Sequence, residues 1–260
     1  MALGILRRGG PVAAEREARS ESRMTVVEHL QELRRALLVS LIAWGVATAV
    51  AAVFNHLLLS VLEYPLTSLL AKHNHLISRP IITSPTELVT IPIEVAMVGG
   101  LVLALPVILW QLWAFVAPGL RPVERRFALP FVGSALVLFA AGGCMAYFLM
   151  PFWLNLLTSI VGSNAVFFPD LNQYLSFLTL LIVAFGITFE LPIVIVLLGL
   201  LGVISSAWLR RRRRWAWLVI IVGAELVTPG VDPVTPLFLA IPLVGLFELS
   251  VLVLAKPLRR

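Results

Sequence analysis

Long apolar runs alternate with clusters of positive charge along this 260-residue chain, and the alternation dictates how it can fold. Eighteen of its twenty Lys and Arg residues fall in four stretches. Seven precede the first long apolar segment, three lie between the second and third, five between the fourth and fifth, and three follow the sixth. The remaining connections hold only Lys72 and Arg79. Basic residues resist passage across a bilayer and collect on its cytoplasmic side. The pattern therefore predicts an all-α membrane protein with six transmembrane helices and both termini in the cytoplasm.

The expected helices cover residues 36–56, 95–117, 127–149, 174–204, 215–227 and 234–255. A spanning helix needs about 20 apolar residues, which the first four supply. The fourth would be on the order of 45 Å long, so it must tilt, project or bend. Pro192 makes a bend plausible, because it lacks a backbone donor and frees the carbonyl of Thr188. The fifth would reach only about 20 Å against a hydrocarbon core of roughly 30 Å. Helices 5 and 6 are thus short, and two short crossings or one re-entrant hairpin both fit. Residues 1–24 read as a flexible charged arm without a cleaved signal, 25–256 as one six-helix domain and 257–260 as a cytoplasmic tail. Longer connections on the outer side are expected at 55–94 and 150–173.

With 60% hydrophobic and 13% charged residues, the chain is too apolar for an ordinary soluble domain. Its pI of about 10.4 would suggest nucleic acid in a soluble protein, but the arginines flank membrane segments and are explained by anionic lipids. Cys144 stands alone in an apolar run, which excludes an intrachain disulfide and a Cys-based metal site. His73 and His75 lack an acidic or Cys partner nearby, and no metal or other cofactor is expected. There is no phosphate-cradling Gly-rich loop and no nucleophile motif, so nothing demands an enzyme. Gly142, Gly143 and Ala146 offer a small-residue face for close helix packing.

Three acids carry the functional argument. Glu190 falls near mid-membrane in Phe185-Gly-Ile-Thr-Phe-Glu-Leu-Pro192, where an ionised carboxylate is costly and an acid marks function by default. The structural alternative is a protonated side chain bonded to the carbonyl that Pro192 leaves free. Glu32, in the amphipathic turn Glu28-His-Leu-Gln-Glu-Leu-Arg-Arg35, and Glu124, between segments two and three, both fall on the cytoplasmic face. Either Glu32 pairs with Arg35 one turn on and Glu124 begins a helix at its positive end, or both accept guanidinium groups of a ligand in bidentate geometry. Read from residues alone, Glu190 with Pro192 also suits a proton-coupled transporter of small solutes, although no inverted repeat is evident.

Taken in order, the segments resemble the TatC family, the core subunit of the twin-arginine protein translocase. The resemblance rests on His-Leu-Gln-Glu-Leu-Arg at 29–34, Ser-Pro-Thr-Glu at 84–87, Ala104-Leu-Pro-Val-Ile-Leu-Trp-Gln-Leu-Trp-Ala-Phe-Val-Ala-Pro-Gly-Leu120 and Glu124-Arg-Arg126. It continues through Phe185-Gly-Ile-Thr-Phe-Glu-Leu-Pro192, Thr228-Pro229 and Ala240-Ile-Pro242. It implies a six-helix protein cupped around a concave face, in the cytoplasmic membrane of a prokaryote. By resemblance the protein is the receptor of a translocase, driven by the proton motive force, that exports folded proteins with twin-arginine signals.

The resemblance further implies signal-peptide binding at Glu32 and Glu124 with the aromatic Phe115 beside them. Glu190 becomes a polar position of the concave face, and Thr228 marks where TatA- and TatB-type single-helix subunits dock. Self-association within a larger complex is also implied. The sequence departs from the family around Thr228-Pro-Gly-Val-Asp-Pro-Val-Thr-Pro236, where one residue is inserted and Pro236 replaces a polar Gln. Glu94 stands where some relatives carry a basic residue, and no role is assigned to it.

Overall fold

A computed structural model describes residues 26–73, 79–120, 128–161, 169–227 and 235–255. The described residues are helical apart from short connections, with one isolated bridge between Ile81 and Asp170. In chain order the helices are α1 (Val26–Val53), α2 (Asn55–His73), α3 (Glu87–Val116), α4 (Ala128–Val161), α5 (Leu171–Phe189), α6 (Leu191–Leu200), α7 (Ser206–Arg211), α8 (Arg213–Val227) and α9 (Thr235–Ala255). Five stretches are long and apolar enough to cross a membrane: Val27–Val53, Glu87–Gly119, Ala128–Leu156, Leu171–Leu200 and Pro236–Ala255. Helix α8, with 15 residues, falls short of that length as expected, whereas α9, expected to be short as well, reaches it with 21 residues.

Local chemistry sets the breaks. The long fourth segment divides at Glu190, which ends α5 and begins α6 two residues before Pro192. Pro192 has no N–H to give, so the regular ladder cannot pass through it unbroken. Helix α6 closes with a Schellman turn: Val203 N–H bonds the carbonyl of Leu198 at 2.9 Å and Gly202 N–H that of Gly199 at 3.1 Å. Gly202 takes φ +75°, where a Cβ would be strained. Ser205 then caps α7, its Oγ accepting from Trp208 N–H at 3.2 Å. The first part of the expected outer connection at 55–94 is instead helix α2, entered through a turn at Phe54. Its Leu66, Leu69 and Leu70 are buried in the main core, so tertiary burial stabilises a segment that contains Pro65.

Two glycine contacts define how closely the helices approach. On α3, a Cβ at Gly100 would lie 2.5 Å from Thr48 Cα and 2.6 Å from Thr48 N, so α1 rests against bare α3 backbone. On α4, a Cβ at Gly142 would lie 2.6 Å from the Phe185 carbonyl oxygen of α5, and Ala146 is buried alongside. The expected small-residue face is therefore the α4–α5 contact. The main core joins α2, α3, α4, α5 and α9 through residues such as Leu70, Val95, Met150, Leu175, Leu178 and Leu239. A second cluster of Leu109, Trp113, Leu120, Val132, Ala135 and Leu197 holds the far end of α3. Helix α1 contributes little to either: Leu37, Leu41, Ile42 and Val46 are exposed, as suits a lipid-facing helix.

Polar ties lie at both ends of the bundle. Thr83 Oγ1 lies 2.8 Å from Glu87 Oε1 and 2.7 Å from Asp170 Oδ2, clasping the start of α3 to that of α5. Ile81 N–H bonds the Pro169 carbonyl at 3.1 Å and Leu171 N–H bonds the Ile81 carbonyl at 2.9 Å. At the opposite end Arg213 of α8 and Glu248 of α9 form an ion pair at 2.7 Å. Within the Arg210–Arg214 run, Arg212 also lies over the Trp208 ring at 4.9 Å. These two arginines thus make specific contacts within the protein, besides any contact with lipid.

Candidate functional site

The first turns of α1 and the last turn of α3 come together at one end of the bundle. Residues three apart on a helix share a face, which puts His29 beside Glu32. His29 Nδ1 lies 3.9 Å from Glu32 Oε2, an electrostatic approach too long for a hydrogen bond. The imidazole stacks on Phe115 of α3, with ring centroids 4.3 Å apart and planes at 15°. Phe115 is held where Trp113 and Leu120 on either side of it are buried. Glu32 Oε2 is shielded from solvent with no hydrogen-bond partner among the described residues, while the side chain as a whole is 37% exposed. Among the described residues Glu32 makes no ion pair with Arg35 and instead faces His29.

Of the residues expected here, Glu32 and Phe115 are thus brought to one place, 83 positions apart in the chain. Glu124 lies outside the described residues, four positions beyond the buried Leu120. The only local signal for His29 in the sequence is its spacing of three from Glu32. Its contact with Phe115 bridges a sequence separation that no periodicity reports.

Glu190 occupies the break between α5 and α6 with backbone φ −74° and ψ −12°. Its carbonyl accepts from Ile193 and Val194 N–H at 3.0 Å each, starting α6. Its Oε1 is closed off from solvent and accepts no hydrogen bond from the described residues. A polar atom left in that condition costs on the order of 1–3 kcal/mol. Thr228 lies outside the described residues, whereas Pro236 is buried at the start of α9.

A second acid lies within a spanning helix. Glu94 of α3 accepts from Ser176 Oγ and Thr179 Oγ1 of α5, both at 2.7 Å. One turn away, Thr90 Oγ1 donates to Asn172 Oδ1 at 3.4 Å. These residues form a polar lane between α3 and α5 that sequence reading did not find. Its only sequence signal was Glu94 itself, an acid seven residues into an otherwise apolar helix.

Known proteins resemble this chain in sequence and fold. The family model described as Sec-independent protein translocase protein (TatC) covers residues 28–242. Proteins named Sec-independent protein translocase protein TatC are similar over most of the chain. That of Carboxydothermus hydrogenoformans is 34% identical over 231 residues, covering 88% of this chain and 92% of the relative. That of Deinococcus radiodurans is 36% identical, with 86% and 83% covered. The chain spans 66% of the longer protein from Frankia casuarinae, at 36% identity over 90% of its own length. A crystal structure of the twin-arginine translocase receptor TatC superposes with a TM-score of 0.77 at 33% identity, covering 87% of this chain and 99% of that one.

Proposed function

The chain belongs to the TatC family of Sec-independent protein translocase proteins, and from that premise we propose that it is the signal-peptide receptor of its translocase. The carrying observation is the Glu32 carboxylate, which approaches His29, itself stacked on Phe115, and keeps one oxygen without a hydrogen-bond donor. An arginine guanidinium supplies two parallel N–H donors that fit such a carboxylate, which a lysine ammonium does not. Phe115 offers apolar and π surface beside the charge for a guanidinium plane. Glu124 provides the second carboxylate of the pair. A signal with two adjacent arginines is thereby distinguished from one with two lysines.

In this reading the chain crosses the cytoplasmic membrane six times, with α8 as the short fifth crossing and both termini inside. The signal docks at the cytoplasmic end and its apolar stretch enters along the concave helices near Glu190. TatA- and TatB-type single-helix subunits dock near Thr228, along α8, whose Val219, Val222 and Leu226 are exposed. Several copies of the chain assemble in the same complex, with anionic lipids around the basic stretches. The membrane potential supplies work at about 2.3 kcal/mol per charge per 100 mV, so the subunit needs no nucleotide site.

The test is binding of a fluorescent twin-arginine signal peptide to the full chain in lipid nanodiscs, against the same peptide with both arginines changed to lysine. Selective binding of the arginine peptide, weakened by Glu32→Ala or Glu124→Ala, is the expected result. Equal binding of both peptides would leave only nonspecific electrostatics and remove the receptor reading.

A further inference from the structure

We propose that Glu94 is a docking point, inside the membrane, for a positively charged side chain carried by a partner transmembrane helix. The argument starts from the carboxylate's bonding. Ser176 Oγ donates to Oε2 and Thr179 Oγ1 to Oε1, each at 2.7 Å. Each carboxylate oxygen has two acceptor sites, so these bonds orient the group without exhausting it. Thr179 is buried and Ser176 partly so, which fixes the carboxylate from the α5 side. Its other side borders an open cavity of about 390 Å³ between α1, α3 and α5.

No group in that cavity completes the site. Among the described residues that line it, Trp44 is the one side-chain N–H donor, and its Nε1 is already bonded to the Met97 carbonyl at 2.9 Å. Thr90 is directed to Asn172, and Met97, Leu101 and Val183 are apolar. Helices α3, α4, α5 and α6 contain no Lys or Arg. A carboxylate in such surroundings gains most from an opposite charge, because apolar walls screen the attraction far less than water does. No cation among the described residues supplies that charge, and a partner does.

Size and position decide what carries it. The space exceeds the roughly 30 Å³ of one water molecule many times over, so a long side chain fits better than a bare monovalent ion. Glu94 lies seven residues beyond Glu87, about 10 Å along α3 from its start, within reach of a residue two turns into a neighbouring helix. This place is separate from Phe115, which lies about 30 Å further along α3 at the opposite end. The occupant is a membrane-spanning helix with a Lys or Arg at matching depth, lying in the groove between α1 and α5.

Energy transfer provides the test. The full chain, labelled with a donor dye at its single cysteine, Cys144, is placed in nanodiscs of neutral phosphatidylcholine. Acceptor-labelled Leu/Ala peptides of about 20 residues carry either Lys, Leu or Glu about 10 Å from one end. The Lys peptide is expected to be captured about tenfold or more in preference to the Leu peptide, the factor a charge-assisted hydrogen bond confers. Glu94→Gln keeps the size of the site and an acceptor for one of the two hydroxyls but removes the charge, and should abolish the preference. Glu94→Lys should transfer it to the Glu peptide. Equal capture of Lys and Leu peptides by the unaltered chain would overturn the proposal, as would a Lys preference that survives Glu94→Gln.

Discussion

Replacing Gly100 by Ala tests whether the α1–α3 contact positions the docking residues. The added Cβ would meet Thr48 Cα at 2.5 Å and Thr48 N at 2.6 Å. These are backbone atoms of a helix, so no rotamer change relieves the clash, and α1 must retreat by about 1 Å to reach ordinary carbon contact. Overpacking of this kind costs about 1–3 kcal/mol. The displacement also has a functional consequence. His29 rides on the same helix about 28 Å from Thr48, and its stack with Phe115 joins α1 to α3 at that end. Moving α1 opens the stack and shifts Glu32, so binding of the twin-arginine peptide should weaken by about tenfold, the loss of roughly one charge-assisted hydrogen bond.

The assay pairs thermal unfolding in detergent with peptide binding in nanodiscs. Gly142→Ala serves as the control, because its Cβ would meet the Phe185 carbonyl at 2.6 Å on the unrelated α4–α5 contact. It should lower stability on the same scale while leaving peptide affinity unchanged. Unchanged stability and affinity in Gly100→Ala would refute the packing argument. Equal loss of affinity in both variants would show that binding follows general stability rather than the position of α1.

Three further outcomes follow from other contacts. Thr83→Val removes the hydroxyl between Glu87 and Asp170 and strips a partner from the buried Glu87, so it should destabilise the protein by about 1–3 kcal/mol in chemical unfolding. Glu190→Leu replaces a carboxyl that has an unpartnered oxygen, so thermal stability should hold or rise while export of a twin-arginine reporter in membranes falls; export at the normal rate would make the acid merely structural. Glu248→Gln breaks the 2.7 Å pair with the partly exposed Arg213 and should cost about 1 kcal/mol or less, whereas exchanging the two charges as Arg213→Glu with Glu248→Arg should recover part of it in a double-mutant comparison.

Much of the helical frame could be read from the chain alone, because the forces that set it are local. An apolar run of spanning length must be helical to satisfy its backbone in lipid, and the break before Pro192 follows from one missing N–H. That α4 offers a face for close packing was legible for the same reason, since Gly142 and Ala146 leave the helix surface bare, but its partner α5 was not. Helix α2 was not: its apolar residues bury against α3, α4 and α5, and its polar residues and Pro65 conceal it from any reading by hydropathy.

The candidate site divides in the same way. Glu190 stood out because a carboxylate at mid-membrane is conspicuous whatever surrounds it, whereas Glu32 gained a role only through the resemblance to the TatC family. What surrounds them depends on distant parts of the chain: Phe115 reaches His29 across 86 positions, and Ser176 and Thr179 reach Glu94 across 82 and 85. Sequence spacing carries no record of such contacts, because they arise only when α1 and α5 pack against α3. Which acids exist was determined by the sequence; which of them are held, shielded or left without a partner was decided by helix packing, since burial and hydrogen bonding are properties of the assembled fold.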